Sequence, residues 1–330
     1  MLNPEAHLDP RILGDDADMK PTRDGYGTGL VKAGELNGQV VALSADLTES
    51  TRSEAFSKRF PERFVEVGVA EQGMATVAAG LAEAGKIAFI ASYATFSPGR
   101  NWEQIRTTAA YNHANVKIAG HHAGISVGPD GATHQAIEDI ATMRVIPRMR
   151  VIVPCDALEA EKATLAAAHL FGPVYLRFGR EKTPVMTTEQ TPFVPGQALT
   201  LWESEDPQVA IIGCGSLLYN AIKAAQQLQE RGIGSIVINV HTVKPLDEEA
   251  VERAARTCGA VVTVEEHNVL GGLGGAVAET LARRFPAPQE FVGMQDVFGE
   301  SGRPDELIAK YGMDAPAIVA AAERAIARKA

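Results

Sequence analysis

The chain has 330 residues, 45% hydrophobic, 22% charged and only 6% aromatic, which is globular composition with length enough for two domains. Its formal net charge of −10 argues against nucleic acid or an anionic membrane as main partner, yet leaves room for an anionic substrate held by a few local cations. Three scattered cysteines (Cys155, Cys214, Cys258) make neither a disulfide framework nor a zinc pattern, no apolar run is long enough to span a bilayer, and Met1–Lys20 lacks a signal-peptide core, so a cytoplasmic protein is expected.

In chain order, short apolar runs alternate with Ala-rich helical stretches. Val40–Ser44, Phe64–Val67, Ile87–Ile90, Val116–Ala119, Val151–Val153 and Val174–Arg177 have the pattern of strands. Ala70–Glu83, Arg100–Asn112 and Asp156–His169 have the pattern of helices. The alternation predicts an α/β unit with a mainly parallel sheet and flanking helices. From Glu181 to Pro207, four prolines among Thr and Gln predict an inter-domain linker. A second α/β unit follows: strand Val209–Ile212, helix Leu217–Arg231, strand Ser235–Asn239, helix Leu246–Thr257 and strand Val261–Glu265.

Four segments carry candidate chemistry. In Val67–Ala75 a strand ends, Gly68 turns the chain, and Glu71 falls in the first turn of a helix. Glu71 either complements the helix dipole or lies at the C-terminal edge of the sheet, where it could hold a heterocyclic nitrogen by a charge-assisted bond. Gly124–Gln135 is a glycine-rich loop with Asp130 and His134 four apart, preceded by His121 and His122. Thr133 is a candidate cap for the next helix, Asp130 has a plain reading as an Asx turn, and a lone histidine is usually structural. No carboxylate or cysteine set completes a metal site, so the imidazoles suit proton movement on hydroxyl groups. In Arg177-Phe178-Gly179-Arg180, either arginine is a surface charge or a phosphate grip at a strand end. Gly271–Gly275 could cradle phosphate, but its spacing matches no nucleotide fingerprint and a packing role is expected.

Read in order, these segments resemble the transketolase family. Ser44-Ala45-Asp46-Leu47-Thr48-Glu49-Ser50 is similar to its opening loop, Gly68-Val69-Ala70-Glu71-Gln72 to its pyrimidine motif and Tyr93-Ala94-Thr95-Phe96 to its aromatic segment. Gly128–Gln135 is similar to its substrate loop, and Glu265-Glu266-His267-Asn268 to its C-terminal domain. The resemblance covers the chain from about Pro21. It implies residues 1–20 as an extension, 21–185 as a pyrimidine-binding domain, 186–207 as a linker and 208–330 as a smaller transketolase C-terminal domain.

The resemblance also implies roles. Glu71 would hydrogen-bond the aminopyrimidine of thiamine diphosphate and so activate its thiazolium carbon. Phe96 would lie against the pyrimidine face and Asp46 near the cofactor at a subunit boundary. Asp130 and His134 would contact sugar hydroxyls near the bond that breaks. Arg23, Ser50, His122 and Arg180 would hold the sugar phosphate. No Gly-Asp-Gly motif followed by Asn is present, so the Mg²⁺ and diphosphate anchor is expected on a partner, the N-terminal transketolase subunit, in an α2β2 heterotetramer. The implied activity is transfer of a two-carbon ketol unit from a ketose phosphate to an aldose phosphate, as in the pentose phosphate pathway. One departure is the stretch Ser97-Pro98-Gly99-Arg100, where the resemblance implies another aromatic near Gly99; Phe96 or Trp102 could compensate. The alternatives are a deoxyxylulose-phosphate-synthase-like chain, a β subunit of a 2-oxo acid dehydrogenase, and a non-catalytic subunit that keeps the fold.

Overall fold

The computed structural model describes residues 1–14 and 16–329. Its strands are β1 (Met19–Pro21), β2 (Val40–Ser44), β3 (Phe64–Glu66), β4 (Ile87–Tyr93), β5 (Val116–His121), β6 (Arg150–Ile152), β7 (Val174–Arg177), β8 (Lys182–Pro184), β9 (Leu199–Glu203), β10 (Pro207–Gly213), β11 (Gly234–Asn239), β12 (Thr242–Lys244), β13 (Val261–Asn268) and β14 (Gln289–Met294). A seven-stranded sheet has the order β12-β6-β7-β5-β4-β2-β3, parallel except for β12. A five-stranded sheet has the order β14-β13-β10-β11-β9, parallel except for β9. β2 and β5 are buried along their whole length, as expected of parallel strands with helices on both faces.

Helix Glu71–Glu83 starts one residue inside its expected bounds, and helix Ala157–His169 is capped by Asp156, which accepts from Glu159 N at 2.8 Å. The first helix, Thr22–Leu36, has no counterpart among the expected elements. Four glycines in that segment oppose helix formation by about 1 kcal/mol each. Packing overrides propensity here: a Cβ on Gly25 would lie 1.9 Å from the Ala157 carbonyl oxygen. Glycine lets this helix press on Ala157–His169, and so fixes Arg23 at its N-terminal end.

The Pro-rich stretch expected as a linker carries two strands. β8 pairs antiparallel with β1, and β9 forms an edge of the second sheet. The first residues strap onto the second unit: Asn3 N donates to Leu201 O at 2.9 Å, and Ala6 and Ile12 are buried in its core. In the other direction, β12 from the second half joins the first sheet.

The two units share buried charge. Arg177 Nε donates to Asp139 Oδ2 at 2.7 Å, Tyr175 Oη donates to the same oxygen at 2.6 Å, and Arg177 Nη2 donates to Glu266 O at 2.9 Å. Burial alone would raise the Asp139 carboxyl, but the guanidinium holds it below its usual range. Arg177 is therefore a structural tie and not a phosphate ligand. Asp139→Ala leaves this guanidinium buried without its counter-charge and should cost about 3–5 kcal/mol, read as a lower urea midpoint. Pairing it with Arg177→Met should recover much of the loss.

Candidate active site

Most of the expected site residues follow the C-terminal ends of strands. Asp46 follows β2, Glu71 follows β3, Phe96 follows β4, His122 follows β5 and Arg180 follows β7. Because β7, β5, β4, β2 and β3 are consecutive neighbours, their loops converge along one edge of the sheet.

Glu71 is the first residue of its helix and is only 4% exposed. Its Oε1 accepts from Arg100 Nη1 at 3.0 Å, and the Arg100 guanidinium lies 4.0 Å from the Phe96 ring centre. Asn101 Nδ2 donates both to Glu71 O and to Ser97 Oγ, each at 3.0 Å. These bonds tie the loop after β4 to the start of the helix. A Cβ on Gly99 would lie 1.9 Å from Thr95 O. No aromatic side chain fits there, which accounts for the departure at this position. Trp102 does not compensate; its Nε1 donates to Thr142 O at 2.9 Å and its ring packs on the core.

Tyr93 occupies the centre instead. It stacks on His122 at 3.8 Å and on Phe96 at 5.7 Å, while His134 meets Phe96 edge-on at 5.5 Å. His134 Nδ1 lies 2.8 Å from Thr133 Oγ1. Thr133 therefore orients the imidazole and does not cap a helix; the next helix begins only at Asp139.

Beyond the aromatic rings lies a group of cations. Arg23 Nη1 donates to Ser50 O at 3.0 Å and to His122 Nε2 at 3.3 Å. Arg180 Nη1 donates to Asp130 Oδ1 at 3.0 Å. Burial, then the charges of Arg23 and Arg180, push His122 down to about 3. Burial, then Arg52, lower Arg23 as well. A guanidinium can only donate, so His122 Nε2 is the acceptor and the ring proton sits on Nδ1. That Nδ1 and Arg23 Nε are both buried without a partner among the described residues. Two orphaned donors among like charges form a ready site for an anion.

His121 does not join the other two histidines. It is fully buried, edge-on to Tyr26 at 4.7 Å. Ser50 contributes its carbonyl to Arg23, and its hydroxyl has no partner among the described residues. Asp46 is exposed with a left-handed φ of 59°, and its N–H donates to Glu66 Oε1 at 2.8 Å. Glu66 also accepts from Gly68 N at 2.9 Å and Thr48 Oγ1 at 2.9 Å, and so clamps the Asp46 loop to the turn before Glu71.

The glycine loop Gly271–Gly275 is already satisfied from within. Glu265 carboxylate oxygens accept from Leu273 N at 2.7 Å and Gly274 N at 2.8 Å. Those two N–H groups are therefore taken up and cannot also cradle a phosphate.

The sequence matches the family model for the transketolase pyrimidine-binding domain over residues 5–186 and that for the transketolase C-terminal domain over residues 196–318. The chain belongs to the transketolase family. It is similar to a putative transketolase C-terminal section from Methanocaldococcus jannaschii, at 44% identity over 91% of this chain and 94% of that one. It is also similar to a 6-deoxy-6-sulfo-D-fructose transketolase subunit from Clostridium sp., at 42% identity over 93% of this chain and 95% of that one. Rat transketolase is 36% identical over 92% of this chain but only 49% of its own length. Among solved structures, a split-gene transketolase described as an inactive β4 tetramer superposes with a TM-score of 0.88 at 45% identity, covering 94% of this chain and 99% of that one.

Among the described residues no group of three or more His, Cys, Asp or Glu is placed to hold a metal ion, and no helix is long and apolar enough to cross a membrane. The residues present fit the pyrimidine end of a thiamine coenzyme: a buried carboxylate beside an aromatic face.

Two measurements test this geometry. In the free chain the His122 ring resonance, identified with His122→Gln, should not titrate between about pH 5 and 8, and a bound phosphorylated sugar should raise its pKa. Gly99→Ala should leave the chain folded but displace Phe96 and Arg100, seen as side-chain shifts confined to residues 93–102.

Proposed function

We propose that this chain is one subunit of a split transketolase and works only when a partner supplies the diphosphate-binding half of a thiamine diphosphate site. The observation that carries the proposal is the buried Glu71 carboxylate, set across two aromatic rings from an orphaned cationic pocket. One end suits a heterocyclic ring nitrogen; the other suits a terminal anion of a sugar. When bound, thiamine diphosphate supplies the carbon nucleophile that takes up the two-carbon unit. Glu71 would hold the pyrimidine nitrogen, and Phe96 would line the face of the ring.

His134, oriented by Thr133, moves protons on substrate hydroxyls, and Asp130 fixes a neighbouring hydroxyl. Arg23, His122, Ser50 and Arg180 receive the terminal phosphate. Mg²⁺ and the diphosphate would be anchored by the partner in an α2β2 assembly. The need for a partner is supported on the surface as well. β3 is the outer strand of its sheet, and Val65 on it, Val69 in the turn before Glu71 and Val77 in the helix that Glu71 begins are all uncovered, Val69 at 69% exposure.

The named relatives include sulfofructose and apulose 4-phosphate transketolase subunits. A sulfonate would also be matched by the cationic pocket, so the donor is to be found by comparing ketose phosphates with their sulfonate counterparts. Pyruvate and branched oxo acids should be inert, because their one anion is the carboxylate on the reacting carbonyl carbon and none lies at the far end for Arg23 and Arg180.

Co-purification with the N-terminal half, followed by ketol transfer assays with thiamine diphosphate and Mg²⁺, tests the proposal directly. Turnover by the isolated chain would sink it. Glu71→Ala should abolish turnover of the assembled enzyme without unfolding it. Arg180→Ala should raise KM for a phosphorylated donor by roughly several-fold to a hundredfold, since a charged contact is worth about 1.5–3 kcal/mol; an unchanged KM would place the anion elsewhere.

A further inference from the structure

We propose that Arg100 stands in the place of the coenzyme's pyrimidine and must be displaced from Glu71 before thiamine diphosphate can bind; this rests on the function proposed above. A guanidinium and a protonated aminopyrimidine present the same chemistry. Both are flat cations, and both offer an N–H donor at an edge and a face to stack. Arg100 uses both features: Nη1 donates to Glu71 Oε1 at 3.0 Å, and the planar group lies 4.0 Å from the centre of Phe96. These are the two contacts that the pyrimidine needs.

The surrounding atoms permit a side-chain swing and little else. The backbone of the loop is pinned by Gly99 N donating to Ala94 O at 3.2 Å, by Arg100 N donating to Phe96 O at 2.9 Å, and by Asn101 on Glu71 O and Ser97 Oγ. The Arg100 side chain is 50% exposed and its guanidinium has no other hydrogen-bond partner among the described residues. Leaving this position breaks the bond to Glu71 and the stack on Phe96 and no other hydrogen bond of its guanidinium among the described residues. Glu71, by contrast, is almost entirely covered, so its carboxylate can serve one planar partner at a time on that oxygen. While Arg100 is in place the binding-competent fraction is reduced, and the apparent affinity falls by that fraction.

The test is coenzyme binding to the complex with the N-terminal half, measured by calorimetry with thiamine diphosphate and Mg²⁺. Arg100→Ala should tighten binding by roughly threefold to tenfold, the worth of a partly exposed ion pair with its cation–π contact. Arg100→Lys, which keeps the charge but loses the flat stack, should fall between wild type and Arg100→Ala. Unchanged or weaker binding by Arg100→Ala, with assembly intact, overturns the proposal and shows Arg100 to be a permanent partner of Glu71. Failure of the wild-type complex to bind thiamine diphosphate at all would overturn the functional proposal, and this one with it; the two failures are therefore distinct.

Discussion

A carboxylate that is nearly dry must be paired, and Glu71 is paired on one side only. Withdrawing such a group from water costs several kcal/mol unless charge and hydrogen bonds offset it. The loop after β4 is shaped by that requirement. Arg100 supplies the charge, Asn101 holds the helix's first carbonyl, and the close approach at Gly99 sets the turn that brings both into place. Glu66 performs a matching task on the other flank by joining the Asp46 loop to the Gly68 turn. Two acidic side chains thus organise the mouth of the site, one pointing in and one acting as a clamp.

The second unit contributes to the site without entering it. The loop from Gly124 to Gln135, which carries Asp130 and His134, rests on residues far along the chain. Ser126 N donates to Glu266 Oε1 at 2.6 Å, Gln135 Nε2 donates to Glu300 O at 2.9 Å, and helix Pro304–Lys310 packs on residues 125–130. Glu266 is fully buried and its carboxyl is raised by burial. Combined with the Arg177–Asp139 tie and the shared strand β12, these contacts make the second unit a support that fixes the loop's conformation. Catalytic geometry needs such support, because a displacement of about 1 Å can cost a hundredfold in rate.

Much of this was legible in the sequence where local signals and chemistry agree. Apolar strands alternating with Ala-rich helices give the α/β units, and the turn before Glu71 gives its position at a sheet edge. The segments that escaped are those where tertiary contact overrules local preference. Four glycines hide helix Thr22–Leu36, and prolines hide β8 and β9. His121 and His122 are adjacent in sequence, yet one turns into the core and the other into the site, because His122 takes a left-handed φ of 54° that no composition signal predicts. Tyr93, Glu66 and Arg100 were hidden for a different reason. Each works in part through a partner on another strand or loop: His122 for Tyr93, Asp46 for Glu66 and Glu71 for Arg100.

Charge distribution links these points. The chain carries a formal charge of −10, yet one pocket gathers Arg23, His122 and Arg180, where burial and then the two guanidiniums lower His122, and burial and then Arg52 lower Arg23. Each of these groups would be more comfortable in water. The burial of Arg23 and His122, with the Nδ1 of His122 and the Nε of Arg23 unpartnered among the described residues, is unfavourable, and the proposed anion would relieve it. The neutral imidazole follows from the same balance: beside two guanidiniums it offers a donor without adding a third positive charge. An acidic surface around such a pocket also discourages indiscriminate binding of polyanions. The proposed affinity for a small terminal anion rests on local desolvation and unmet donors, and the overall charge of the molecule does not contradict it.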